Sequence, residues 1–142
     1  MAYCTEMSFK GRTPHASRVL LAAKLLAAHP DRVPVVVDVS KELRLHADRF
    51  MVPRKTPLAF FLKELRAESY HIKQSNIPDC LSTDVLTPLS PETGVYVMVS
   101  GKGILPPVTN TMEEIYVKHK EDDNILYLSL CLETSFGQLA PS

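Results

Sequence analysis

Apolar residues alternate along the chain between helical spacing and short β-branched runs, and this alternation predicts most of the elements. Thr13-Pro14 and Thr56-Pro57 each set a capping hydroxyl before a proline suited to a first helical turn. The first of these helices should run to about Ala28 and stop before Pro30. The second carries Leu58, Phe61, Leu62 and Leu65 at i, i+3, i+4 and i+7, an amphipathic stripe. A third should start at Thr111, because Thr111 and Glu114 have capping-box spacing. Strands are predicted over Val33–Val39, Arg49–Val52, Gly94–Val99 and Ile125–Leu132. The first is nearly all apolar and suits a central strand, with Pro34 in its first turn or on an unpaired side. The order is helix, strand, strand, helix, strand, helix, strand, an α+β arrangement around one mixed sheet. Residues 69–89 scatter prolines and polar residues among isolated Ile72, Ile77, Leu81 and Leu86, and read as a long surface loop packed partly onto the body.

Composition narrows the classes of function. At 142 residues and 45% hydrophobic content the chain can bury a core of its own. Sixteen basic and sixteen acidic residues cancel, so no global charge draws it to nucleic acid or anionic lipid, and no basic face interleaved with aromatics appears. Cys4, Cys80 and Cys131 are an odd number without metal-ligand spacing and suit a reducing compartment. No secretory signal pattern and no run of membrane-spanning length is visible, so a cytoplasmic protein is expected. The five histidines show no ligand spacing, and there is no phosphate loop or nucleophile motif, so neither an enzyme nor a metal or other cofactor is expected. The acidic run Glu121-Asp122-Asp123 reads as a solvated helix end.

Gly137, near the end of the chain after an apolar run, admits two readings. It can simply end the last strand, or its extended backbone can thread a narrow enzyme channel and become a new carboxyl terminus. The blocks Pro30-Asp31-Arg32-Val33-Pro34-Val35, Phe50-Met51-Val52-Pro53, Leu105-Pro106-Pro107, Thr111-Met112 and Glu133-Thr134-Ser135-Phe136-Gly137 occur in that order. Together they resemble the ubiquitin-like autophagy modifiers of the GABARAP and microtubule-associated-protein light-chain family, over most of residues 9 to 137. The resemblance implies a β-grasp fold with two additional N-terminal helices. Residues 1–137 would be a single ubiquitin-like domain, with a helical extension over about 6–28 and an insertion over about 69–89. A thiol peptidase would remove residues 138–142, with Phe136 as a recognition contact. Activating and carrier enzymes would then form thioesters with Gly137 and pass it to phosphatidylethanolamine on autophagosome membranes. Two alternatives stay open: conjugation to a protein lysine, or an adaptor that is never conjugated.

The resemblance also implies a groove for aromatic-x-x-aliphatic peptides of cargo receptors and autophagy proteins, preceded by acidic residues. A peptide of this kind adds a strand to an exposed sheet edge and sends side chains into two apolar pockets. By position, Leu25, Pro34, Met51 and Ile125 match the first pocket, and Phe50, Val52, Pro53 and Phe61 the second. Arg49 lies on the edge strand, and with Arg32, Lys24 and Arg54 it could attract the acidic flank. Without the resemblance, Leu25, Val52, Phe61 and Ile125 would all read as core. The chain departs from the family at Thr56 and Glu64, where aliphatic residues usually line the second pocket, and at Ile125, where an aromatic is common. A third departure is the apolar helix 19–28. There the stripe Ser17, Leu21, Lys24 and Ala28 predicts an exposed Leu21, free to dock a partner or lipid unless residues 69–89 cover it.

Overall fold

The computed structural model describes residues 9–40, 43–73, 85–89 and 93–133. In chain order these form α1 (Phe9–Arg12), α2 (His15–Ala28), β1 (Arg32–Val39), β2 (Leu43–Leu45), β3 (Arg49–Pro53) and α3 (Leu58–Ala67). There follow β4 (Ser69–Lys73), β5 (Val85–Pro88), β6 (Val95–Val99), α4 (Met112–His119) and β7 (Leu126–Leu132). The main sheet has the order β3-β1-β7-β6. Its central pair, β1 with β7, is parallel, and both outer pairs are antiparallel. This mixed sheet with helices against it is the ubiquitin-like β-grasp, with α1 and α2 added in front.

The apolar run of β1 follows from its place in the sheet. Val33, Val35 and Val37 face α3 and α4 and join Phe61, Leu65, Ile115 and Leu128 in the main core. Val36 faces the other way and packs with Ile125 and Tyr127 under Phe9 of α1 and Ala22 of α2. A strand covered on both sides has no polar face to show. Pro34 is tolerated because the parallel ladder begins one residue later, at Val35 paired with Leu126.

Helix capping divides into one expectation met and two corrected. Thr111 and Glu114 close a full capping box: the Glu114 amide donates to Thr111 Oγ1 at 3.2 Å and the Thr111 amide to Glu114 Oε1 at 2.8 Å. Thr13 and Thr56 do not cap; the N-cap residues are Pro14 and Pro57, and no side chain bonds at either end. At α3 the orphan amides find backbone instead, Leu58 donating to the Asn110 carbonyl at 2.8 Å and Ala59 to Val108 at 3.0 Å. In return the Met112 amide donates to the Thr56 carbonyl at 2.8 Å, so the starts of α3 and α4 satisfy each other.

The long surface loop predicted over 69–89 is corrected at both ends. Ser69–Lys73 and Val85–Pro88 are strands, antiparallel to each other, and with β2 they make a second sheet of order β2-β4-β5. Ser69 is buried and donates to the Leu65 carbonyl at 2.6 Å, which turns the chain from α3 directly into β4. The rings of Tyr70 and His46 pack edge to face with centres 5.0 Å apart.

Candidate functional site

Strand β3 is an outer strand of the main sheet, and among the described residues nothing pairs on its far side. A cavity lies on each side of it. The first, about 250 Å³, is lined by Leu21, Leu25, Pro34, Met51 and Ile125, with Phe9, Arg49 and Phe50 at its margins. All four residues assigned to the first pocket by position are thus brought together. The second, about 260 Å³, is lined by Phe50, Phe61, Glu64, Leu65, Ala67 and Glu68. Phe50 borders both, and its ring meets Phe61 edge to face at 5.5 Å.

Strand alternation explains the division. Met51 pairs with Pro34 and shares the α2 side of the sheet, whereas Phe50 and Val52 pair with Val35 and Val33 and face α3. Val52 goes on into the core and Pro53 is exposed, and neither lines either of these two cavities. The inner wall of the second cavity comes from the last turns of α3, further from the sequence block that suggested Val52 and Pro53. Phe61 does line it, while being almost fully buried in the core. Of the two positions expected to alter this pocket, Glu64 lines it and Thr56 does not.

The cations divide as well. Arg49 lines the first cavity, lies 5.7 Å from the Phe9 ring centre and is 3.5 Å from Asp48. Arg32 is exposed and donates to the Met51 carbonyl at 3.3 Å. Arg54 is turned away, donating to the Pro30 carbonyl at 2.8 Å and lying 3.9 Å from Glu113. Lys24 is exposed on α2.

Helix α2 supplies the outer wall through an inner stripe of Arg18, Leu21, Ala22 and Leu25, at i, i+3, i+4 and i+7. The solvent face therefore carries Leu20, 63% exposed, and the expectation that Leu21 would be exposed is corrected by one position. The stripe is anchored by Arg18, which bonds Asp123 Oδ2 at 3.0 Å and the Thr13 carbonyl at 2.7 Å. Asp123 is fully buried, not a solvated helix end, and also accepts from the Tyr127 hydroxyl at 2.5 Å and the Ile125 amide at 3.0 Å. Burial first, then the bond to Asp123 and its charge, push the Tyr127 phenol well above its usual pKa.

Comparison with known proteins gives this geometry its context. No protein-family model matches the chain. Autophagy-related protein 8d of Arabidopsis thaliana is 31% identical over 133 residues, covering 92% of this chain and 94% of that protein. Autophagy-related protein 8 of Emericella nidulans is 28% identical over 132 residues, covering 91% and 95%. The chain belongs to the Atg8 family. Members are ubiquitin-like modifiers of autophagy, and so is this protein. Among solved structures, Trypanosoma brucei ATG8 superposes with a TM-score of 0.69 at 23% identity, covering 91% of this chain and 97% of that one. Plasmodium falciparum Atg8, solved in complex with a P. falciparum Atg3 peptide, gives 0.64 at 24%, covering 87% and 94%. These two establish that the Atg8 fold is shared.

The expected conjugation residues of this Atg8-family protein, Phe136 and Gly137, lie outside the described residues, as do Cys4 and Cys80. Among the described residues no helix is long and apolar enough to cross a membrane, and no group of His, Cys, Asp and Glu could hold a metal ion. Phe9 and Glu68 are site residues with no signal in the sequence, whereas Leu21, expected as an exposed docking residue, lines the first cavity instead. The i, i+3, i+7 spacing of Arg18, Leu21 and Leu25 was the available signal for that inward placement.

Proposed function

We propose that this protein works in the manner of the GABARAP and light-chain group: Gly137 is exposed by a thiol peptidase and joined to phosphatidylethanolamine, and the groove flanking β3 recruits partner peptides. Residues 1–137 then act as one ubiquitin-like domain and 138–142 as the discarded tail. The single observation that carries the recruiting role is the pair of cavities on opposite sides of an edge strand that is unpaired among the described residues. Side chains 0 and +3 of an added strand have opposite parity and point to opposite faces of the sheet. That is the separation an aromatic-x-x-aliphatic motif needs.

The protein serves here as a substrate of its peptidase and of the activating and carrier enzymes, not as a catalyst. That the P. falciparum relative was solved with an Atg3 peptide supports a groove open to conjugation partners as well as to cargo receptors. A neutral domain with no spanning helix among its described residues would gain its membrane attachment from the two acyl chains of the lipid, at ~0.8 kcal/mol per buried CH₂. The free form would be cytoplasmic and the lipid-linked form on autophagosomes.

The test is fractionation of cells expressing the wild type or Gly137→Ala, with autophagy induced. The reading expects a membrane pool for the wild type and its loss in the variant. An unchanged membrane pool in the variant would instead support an adaptor that is never conjugated.

A further inference from the structure

The second cavity has the wrong rim for an aliphatic side chain. Its floor is apolar, made by Phe50, Phe61 and Leu65, but Glu64 and Glu68 stand one helical turn apart at its mouth. Both are exposed, and among the described residues neither takes part in an ion pair. Two carboxylates at i and i+4 repel each other in the free protein, and a cation between them removes that repulsion. An aliphatic side chain entering this mouth would instead strip water from both carboxylates and return nothing to them.

The other end of the groove has the opposite sign. Arg49 lines the first cavity, its charge offset in part by Asp48 at 3.5 Å. Two further cations are exposed, Arg32 bonded to the Met51 carbonyl and Lys24 next in the chain to Leu25. The groove is thus dipolar along its length. It fits a segment that is acidic before its aromatic anchor and basic where the motif ordinarily has its aliphatic residue. Arginine suits the second cavity best. Its methylene stem can lie over Phe50, Phe61 and Leu65, and its planar fork offers several donors to two carboxylates. The half-buried Phe50 ring adds a cation–π attraction.

Resting on the peptide-groove reading above, we propose that the second cavity of this protein selects an arginine, with lysine as the weaker substitute, three residues after the aromatic anchor of an acidic-flanked partner peptide. The experiment is calorimetric titration of the full chain with two synthetic peptides of the form Glu-Glu-Glu-Trp-Ala-Ala-X, X being Arg or Leu, against the wild type and the doubly substituted Glu64→Gln/Glu68→Gln. Both glutamates are exposed, and thermal unfolding verifies that the variant keeps its fold. The wild type should bind the Arg peptide about tenfold more tightly than the Leu peptide, with a preference that shrinks as salt rises. In the double variant the preference should vanish or reverse. Tighter binding of the Leu peptide by the wild type, with a ratio the double variant leaves unchanged, would overturn the arginine assignment and leave the groove standing. Binding of neither peptide would overturn the groove, and the assignment with it.

Discussion

Replacing Arg18 by alanine should loosen the whole outer wall of the first cavity. The Arg18 side chain is 13% exposed and that of its partner Asp123 is 1% exposed. Removing one member of a buried pair strands the other charge and typically costs 3–5 kcal/mol. Here Asp123 keeps two donors, the Tyr127 hydroxyl and the Ile125 amide, so the low end applies, about 3 kcal/mol. The substitution also frees the Thr13 carbonyl, and with it the turn joining α1 to α2. Equilibrium urea unfolding followed by far-UV circular dichroism gives the cost, and the doubly substituted Arg18→Leu/Asp123→Asn isolates its cause. Asparagine can still accept the Ile125 amide at its one oxygen, and its Nδ2 can donate to the Tyr127 hydroxyl oxygen in place of the bond the carboxylate accepted. With no charge to strand, the double variant should lose about 1 kcal/mol or less. A single variant that loses under about 1 kcal/mol, or a double variant as costly as the single, would refute the idea that this pair fixes the N-terminal helices.

Met51 is half-buried on the rim of the first cavity, so Met51→Asp should abolish binding of a Trp-containing peptide by calorimetry while shifting the unfolding midpoint little. Val52→Ala should do the reverse, costing about 2 kcal/mol in urea unfolding from lost burial with near-normal peptide affinity. Thr111→Ala should cost about 1 kcal/mol, since it opens the capping box, whereas Thr56→Ala should stay within about 0.5 kcal/mol because its hydroxyl caps nothing. His119 has its pKa lowered by burial first and then by Lys102 and Lys118, and among the described residues its buried Nδ1 has no hydrogen-bond partner. The unfolded chain therefore takes up this proton more readily, and stability should fall as pH drops below about 6.5. Thermal unfolding of His119→Gln across that window should show a shallower decline than the wild type.

The strands that build the groove were legible because their residues answer local rules. The β-branched run of β1 and the short apolar run Phe50-Met51-Val52 of β3 mark both strands to within a residue, and the spacing of Thr111 and Glu114 fixes the start of α4. What was not legible depended on partners distant in sequence. Strands β4 and β5 look like loop because their order comes from pairing, β4 with β2 and β5 with β4, in registers that no short window contains. Asp123 sits in an acidic run and reads as solvated until Arg18, 105 residues earlier, is folded onto it. Val52 and Pro53 share a sequence block with Phe50, but pleating sends one into the core and leaves the other outside. Leu20 and Leu21 exchange roles because the inner stripe of α2 is set by Arg18 and Ala22, not by the polar residues flanking it.

The most direct test of the central claim is the intact mass of the protein recovered from membrane and soluble fractions of its own cells during autophagy. The account predicts a membrane species ending at Gly137 and carrying the added mass of phosphatidylethanolamine, beside a soluble form without it. A Gly137 terminus joined to a second polypeptide would contradict the lipid target. Membrane fractions holding only chains that still end at Ser142 would contradict conjugation itself.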